Sequence, residues 1–216
     1  MSQKKIDERL YIISSYIDYT LLNEKHPISI FNFCKKNDIK EKTFYKYFGS
    51  LDAVKKMIWQ SFIDNAMSLL KKDKDFSDSK PKEKLLSFYY TFFEILLINR
   101  SYVLFVLSKE EKILNKMTDF KTLRIIFKGF ATELIEEGNM EKPSYLQHSP
   151  RIFSEAAWVQ LGFLIKFWVE DNSESFEKTD QAIEKSVQTA FDVFENTPLS
   201  SLIDFGKFLL KEKFVS

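Results

Sequence analysis

The chain has 216 residues, which is long enough for one large or two small domains with a buried core. Its single cysteine, Cys34, excludes an internal disulfide and fits a reducing compartment, so we expect a cytoplasmic location. Glycine and proline number only five each against 22 phenylalanines, and this scarcity of helix-breaking residues predicts an all-α protein.

The net charge of +1 conceals two parts of opposite sign. Residues 1–60 carry 11 lysines and arginines against 7 acidic residues, whereas the remaining residues carry 21 against 24. A basic head on a larger, acidic body is typical of a DNA-binding regulator. A solvated, lysine-rich surface of an ordinary helical protein would have the same balance, so charge alone does not separate the two interpretations.

The first predicted helix runs from about Lys5 to Leu22. Its apolar residues recur every three or four positions, which places them on one face of a helix. This stripe, which we expect to face the core, consists of Ile6, Leu10, Ile13, Ile17 and Leu21.

The segment from Ser29 to Phe48 has the pattern of a helix-turn-helix. Ser29 is a suitable N-cap for a short helix that begins at Ile30. Asn37 and Asp38 then interrupt the apolar pattern, and both residue types tolerate the left-handed conformation of a sharp turn. The segment has 20 residues, which leaves room for two short helices and this turn.

The second helix of this segment is predicted to have two chemically different faces. Phe44 and Phe48 are four residues apart, so both can pack inward. Lys42, Thr43 and Lys46 lie on the side opposite the two phenylalanines. Tyr45 and Tyr47 lie at the borders between the two faces. A short helix that presents cations, a hydroxyl and phenols on an aromatic anchor suits the major groove of DNA.

Beyond this segment the chain is predicted to continue as helices. A fourth helix follows the Ser50 cap, and the polar residues 71–82 form a loop. We therefore expect a helix-turn-helix domain with its connecting helix over residues 1–70 and a larger helical domain over residues 71–216. The later helices are predicted over residues 82–98, 101–115, 119–137, 150–170, 179–195 and 199–213.

Two stretches of the larger domain are unusually apolar. Leu85–Leu107 is interrupted by Glu94 and by the polar residues 99–101, so we expect two buried helices and no membrane span. The helix over 150–170 is apolar all round, which predicts burial on all sides. One side would face the core and the other a partner subunit, although a central core helix of a monomer explains the pattern equally well. The following helix has one apolar stripe, which consists of Ile183, Val187, Ala190, Phe191 and Phe194.

Thr43-x-Tyr45-x-Tyr47-Phe48, with the short helix before it and the helix after Ser50, resembles the N-terminal domain of TetR (tetracycline-repressor-type) transcriptional regulators. The resemblance covers roughly residues 5–65. It implies a ligand-responsive homodimeric regulator, by default a repressor, that binds a palindromic operator in double-stranded DNA. The residues expected to contact DNA are Ser29, Lys40, Lys42, Thr43, Tyr45, Lys46 and Tyr47. The resemblance also implies dimerisation through the helices near 150–170 and 179–195.

Several positions depart from the family pattern. Cys34 stands in place of a small alanine, and Asp38 in place of the usual turn glycine. Leu51 stands where a lysine often touches a phosphate, so this backbone contact is not expected. The missing lysine keeps an alternative open, namely an all-helical ligand or protein-interaction module that does not bind DNA.

The sequence carries no recognisable catalytic or metal-binding pattern. It has two histidines and one cysteine without ligand spacing, and five glycines are too few for a phosphate-binding loop. We therefore expect neither enzymatic activity nor a cofactor. The aromatic residues of the body predict instead a pocket for an unknown small apolar or aromatic effector. Its expected lining residues are Tyr89, Phe93, Tyr102, Trp158 and Phe163.

Overall fold

The structure, a computed structural model, describes residues 7–108, 120–140, 142–144 and 147–196, and nine α-helices and a 3-10 turn between the last two lie within them. These residues contain no strand, so the predicted all-α fold is confirmed. The helices are α1 (Glu8–Asn23), α2 (Ile30–Lys36), α3 (Glu41–Tyr47), α4 (Leu51–Leu70), α5 (Pro81–Ile98), α6 (Arg100–Ser108), α7 (Lys121–Asn139), α8 (Pro150–Glu170) and α9 (Glu177–Asn196). The 3-10 turn spans Glu174–Phe176.

The predicted helix boundaries agree with these bounds to within about three residues wherever both can be compared. The end of the helix predicted over 101–115 and the whole helix predicted over 199–213 lie outside the described residues. Leu85–Leu107 forms two helices, α5 and α6, as expected from its interruption at Asn99.

The described residues fall into two compact units, one within residues 1–66 and 92–123 and the other within residues 67–91 and 124–216. The first unit is discontinuous because α6 packs against α1. This grouping reflects contacts and not function, so the division into a DNA-binding domain over 1–70 and a regulatory domain over 71–216 stays a prediction.

The first unit buries only part of the stripe predicted for α1: Ile13 is buried and Ile17 and Leu21 are half-buried, while Ile6 lies outside the described residues. Tyr16 and Tyr19 are buried and pack their rings against Phe33 of α2, with ring centroids 5.9 and 6.0 Å apart. Leu10, predicted to be buried, is 57% exposed. The prediction was wrong for Leu10, because the tyrosine rings find aromatic neighbours on α2 and take the buried positions.

The second unit has an aromatic core between α5 and α7. The Phe88 ring lies 5.0 Å from Phe127 and 5.2 Å from Phe130, measured between centroids. Lys84 is buried beside it, and its ammonium donates to both carboxylate oxygens of Glu137 at 2.7 and 2.8 Å. A buried cation of this kind needs such a partner, since an unpaired charge would be costly to desolvate.

The helix α8 is long and largely apolar. It is long and apolar enough to cross a membrane by length and composition alone, a test that core helices also pass. Its residues Leu161, Leu164 and Trp168 are buried in the second unit, which is the position of a core helix. The opposite face is exposed, so the expected burial on all sides is not observed within a single chain.

Candidate nucleic-acid interface

The helix α2 begins where the serine cap was predicted. Ser29 has extended backbone angles, and its hydroxyl oxygen accepts a hydrogen bond from the amide of Asn32 at 3.2 Å. This satisfies one of the amides that a helix leaves without a partner in its first turn. Because a hydroxyl can accept and donate at once, the Ser29 proton can still be donated to an outside acceptor such as a phosphate oxygen.

The turn between α2 and α3 is made by Asn37 and Asp38. Asp38 has a φ of 53°, which is the left-handed conformation that the sequence predicted at this turn. Ile39 follows as a buried plug, and its amide donates to the carbonyl of Cys34 at 2.9 Å. The phenol of Tyr11 in α1 donates to the Asn37 carbonyl at 3.2 Å, so a side chain of α1 is hydrogen-bonded to the turn.

The helix α3 has the two faces that were predicted. Phe44 and Phe48 are buried, and the Phe44 ring packs on Phe33 of α2 with 6.1 Å between centroids. Lys42, Tyr45 and Lys46 are exposed. The aromatic anchor therefore fixes the helix on the unit, and the cationic face points to solvent.

The seven predicted DNA-contacting residues lie on or next to this helix-turn-helix. Lys40 is exposed at the N-cap position of α3, while Thr43 and Tyr47 are half-buried at the edge of its exposed face. Ser29 lies apart from them at the start of α2. The structure thus brings six of the seven residues together on α3 and its N-cap.

A residue that the sequence reasoning missed completes this surface. Glu8, in the first turn of α1, accepts hydrogen bonds through Oε2 from Lys46 Nζ at 3.0 Å and from Tyr47 Oη at 2.9 Å. Hydrogen bonds with Tyr47 and Glu8 raise the pKa of Lys46 above its usual value. The Lys46 ammonium also lies 4.8 Å from the centroid of the Tyr47 ring. No local pattern signals this contact, because Glu8 and Lys46 are 38 residues apart.

A second exposed surface lies on α8 and α9. Val159 is 69% and Phe163 is 56% exposed on α8, next to an open cleft of about 530 Å³. Small side chains form much of the cleft wall, namely Ala156, Ala157, Ala182 and Ala190. Phe191, expected at an interface, is buried instead and packs on Phe153 with 5.8 Å between centroids.

The predicted effector residues of the second unit have three different environments. Tyr89 is buried, its hydroxyl lies 3.1 Å from Gln160 Oε1, and burial raises its pKa. Trp158 is half-buried, with its ring 6.4 Å from that of Phe127. Phe163 is exposed and lines the open cleft between α8 and α9.

The other two predicted effector residues belong to the first unit. Phe93 and Tyr102 are both buried there. Among the described residues, no three His, Cys, Asp or Glu side chains are close enough to hold a metal ion.

Comparison with known proteins finds a family match for the larger, C-terminal part of the chain. The family described as "Tetracyclin repressor-like, C-terminal domain" matches residues 84–209, which is more than half of the chain. This match is independent of the N-terminal motif, because the two cover different residues. None of the curated proteins compared matches the chain.

A solved structure has the same fold. It is a chain from Syntrophomonas wolfei that is named for the TetR family of transcriptional regulators, and it is 15% identical to this chain with a TM-score of 0.65. The match covers 91% of this chain and 99% of that chain. At this identity the likeness concerns the fold alone.

Family membership decides two further expectations. TetR-family members are DNA-binding regulators without enzymatic activity, so the expectation that this chain is not an enzyme is confirmed. The all-α helix-turn-helix architecture is likewise that of the family. The chain therefore belongs to the TetR family of transcriptional regulators.

Proposed function

We propose that this chain is a cytoplasmic, ligand-responsive, homodimeric repressor that binds a palindromic operator through its helix-turn-helix. The observation that carries the proposal is the exposed face of α3, which presents Lys42, Tyr45 and Lys46 to solvent. The opposite face is anchored by the buried Phe44 and Phe48. Such a helix can enter the major groove without exposing its apolar side.

The polar residues would divide the work of recognition. Thr43, Tyr45 and Tyr47 carry hydroxyls that can bond to base edges or phosphates, whereas the lysines neutralise phosphates. Ser29 and Lys40 stand at the starts of α2 and α3, where backbone amides also favour an anion. We assign these two residues to the phosphates that flank the base contacts.

Dimerisation would pair the exposed faces of α8 and α9 from two copies. Val159 and Phe163 expose apolar surface on α8, and the alanine-walled cleft beside them can receive large side chains of a second copy. Two copies related by a two-fold axis would present two recognition helices to half-sites about 34 Å apart, as a palindrome requires.

The effector would be a small apolar or aromatic molecule bound by the body. Tyr89 and Trp158 of the second unit are aromatic side chains that favour such a ligand. Its binding would act by shifting the population between DNA-binding and non-binding arrangements of the dimer.

The proposal is tested by fluorescence anisotropy with the DNA upstream of the chain's own gene, titrated across a salt series. Lys42→Ala should weaken binding and lower the slope of log affinity against log salt by roughly two units for the dimer, one contact per subunit. The matched control is Lys74→Ala, which removes the same charge from the loop between α4 and α5. Equal effects of the two variants would contradict the assigned surface.

A second outcome would overturn the proposal itself. If the folded wild-type chain binds no duplex at low salt, it does not act as a DNA-reading repressor. The alternative, an all-helical ligand or protein-interaction module, would then take its place.

A further inference from the structure

The carboxylate of Glu8 accepts hydrogen bonds from two of the predicted DNA-contacting side chains at once. Its Oε2 atom accepts from Lys46 Nζ and from Tyr47 Oη, at 3.0 and 2.9 Å. Glu8 also lines a recess of about 300 Å³ together with Lys40 and Thr43, so an acid lies within the candidate interface. A DNA phosphate that approached Lys46 would compete with this acid for the ammonium group.

An ion pair of this kind is weak enough to open. The side chains of Lys46 and Glu8 are 62% and 50% exposed, and exposed pairs contribute little because water and salt screen them. A phosphate that is held close to Lys46 by a well-fitted duplex can therefore replace the Glu8 carboxylate. A phosphate that passes at variable distance, as in loose binding to random DNA, has no such advantage.

We propose that Glu8 is a specificity-determining residue, which keeps Lys46 and Tyr47 paired on random DNA and releases them only to a correctly seated operator. This inference rests on the proposed function. While the pair is closed, Lys46 neutralises no phosphate and the negative charge of Glu8 repels the backbone. Non-specific affinity falls, whereas operator affinity changes less because the operator supplies its own partner for Lys46.

The test compares wild type with Glu8→Gln, which keeps the shape of the side chain and removes its charge. Binding to a duplex of scrambled sequence should tighten about fivefold at low salt, because each of the two subunits loses an exposed negative charge that repels the DNA phosphates. The magnitude of the salt slope on scrambled DNA should rise by roughly two units for the dimer, because each freed lysine neutralises one more phosphate. On the footprinted site upstream of the gene, the slope should stay as in wild type.

Two controls separate the proposed pairing from a general loss of negative charge. Asp18→Asn makes the same charge change at another exposed position of α1 and should leave the slope on scrambled DNA unchanged. In a Lys46→Gln background, Glu8→Gln should no longer change the slope, because the lysine that it would free is absent. Circular dichroism should report the same helicity for every variant.

The outcomes are distinguishable. If Glu8→Gln behaves like Asp18→Asn, or if its effect persists without Lys46, the pairing does not control specificity although the chain binds DNA. If neither wild type nor any variant binds a duplex at low salt, the proposed function fails and this inference fails with it.

Discussion

Asp171 at the end of α8 holds Thr179 of α9 through one carboxylate oxygen. Its Oδ2 accepts from the Thr179 amide at 3.0 Å and from the Thr179 hydroxyl at 2.6 Å, while Oδ1 accepts from the amide and hydroxyl of Ser173. The carboxylate therefore caps the first turn of α9 and fixes the link between the two helices that form the proposed dimer surface.

This cap predicts a loss of stability in acid. Burial opposes ionisation, but hydrogen bonds from Thr179 and Ser173 prevail and lower the pKa of Asp171 to about 2. A lowered pKa means that the stabilisation is complete above the unfolded value near 3.9 and is lost as the pH falls towards about 2. Urea unfolding should show Asp171→Asn less stable than wild type at pH 7 by about 1–3 kcal/mol, because the amide nitrogen cannot accept the two hydrogen bonds that one carboxylate oxygen accepts.

The difference between Asp171→Asn and wild type should shrink as the pH falls below about 4, where Asp171 of the unfolded chain becomes protonated, and should level off near pH 2, where the native carboxylate is protonated too. Asp64→Asn removes the same charge at an exposed position of α4 and is the matched control. A constant difference across the whole pH range would mean that the charge of Asp171 does not stabilise the cap.

Thr20 is a buried position that should accept an apolar residue. Its side chain is fully buried in α1, and its hydroxyl has no hydrogen-bond partner among the described residues. Thr20→Val keeps the branched shape and removes the unsatisfied hydroxyl, so the free energy of unfolding should rise by about 1 kcal/mol. Thr20→Ala should instead destabilise, because it also removes a packed methyl group. A less stable valine variant would reveal a hidden partner of the hydroxyl.

The turn at Asp38 should prefer glycine. A φ of 53° costs an ordinary side chain about 1–2 kcal/mol, whereas glycine adopts it without strain and aspartate is intermediate. We expect Asp38→Gly to match or exceed wild type in thermal unfolding and Asp38→Ala to be the least stable of the three. The reverse order of glycine and alanine would exclude a left-handed turn.

Phe163 should decide the oligomeric state. Light scattering should give a mass of two chains for wild type. The interface between the two chains should bury roughly 2,000 Å² or more in total. Phe163→Glu should give folded monomers, because its side chain is 56% exposed in one chain and would be desolvated only in the dimer. Phe191→Glu should unfold the second unit instead, since Phe191 is buried within it.

Ile125→Glu is the matched control for the dimer. Ile125 is also an exposed apolar residue, 62% exposed, but it lies on α7. It should stay dimeric. A wild-type mass of one chain at micromolar concentration would contradict the proposed interface.

Specific DNA recognition should depend on Thr43 and Tyr47. Removing both side chains in Thr43→Ala with Tyr47→Ala should abolish the operator footprint, because both hydroxyls lie at the edge of the exposed face of α3. Helicity and dimer mass should not change, since neither residue belongs to the buried pair Phe44 and Phe48. A footprint at wild-type affinity would exclude these two residues from recognition.

Much of the helix-turn-helix was predictable because its signals act over a few residues. Ser29 accepts a hydrogen bond from an amide three positions away. Asp38 adopts the left-handed conformation that its residue type tolerates in a turn. The inward pair Phe44 and Phe48 follows from helical periodicity alone. The sequence by itself therefore determined the helices, the turn, the two faces of α3 and the family that they resemble.

The tertiary structure decided which of several apolar or charged side chains meet. On α1, periodicity favoured Leu10, but Tyr16 and Tyr19 are buried because Phe33 lies opposite them. The pairing of Glu8 with Lys46 joins residues from different helices, and the burial of Phe191 depends on Phe153 of α8. These contacts depend on how helices distant in sequence pack together, and a pattern within one helix carries no information about its neighbour.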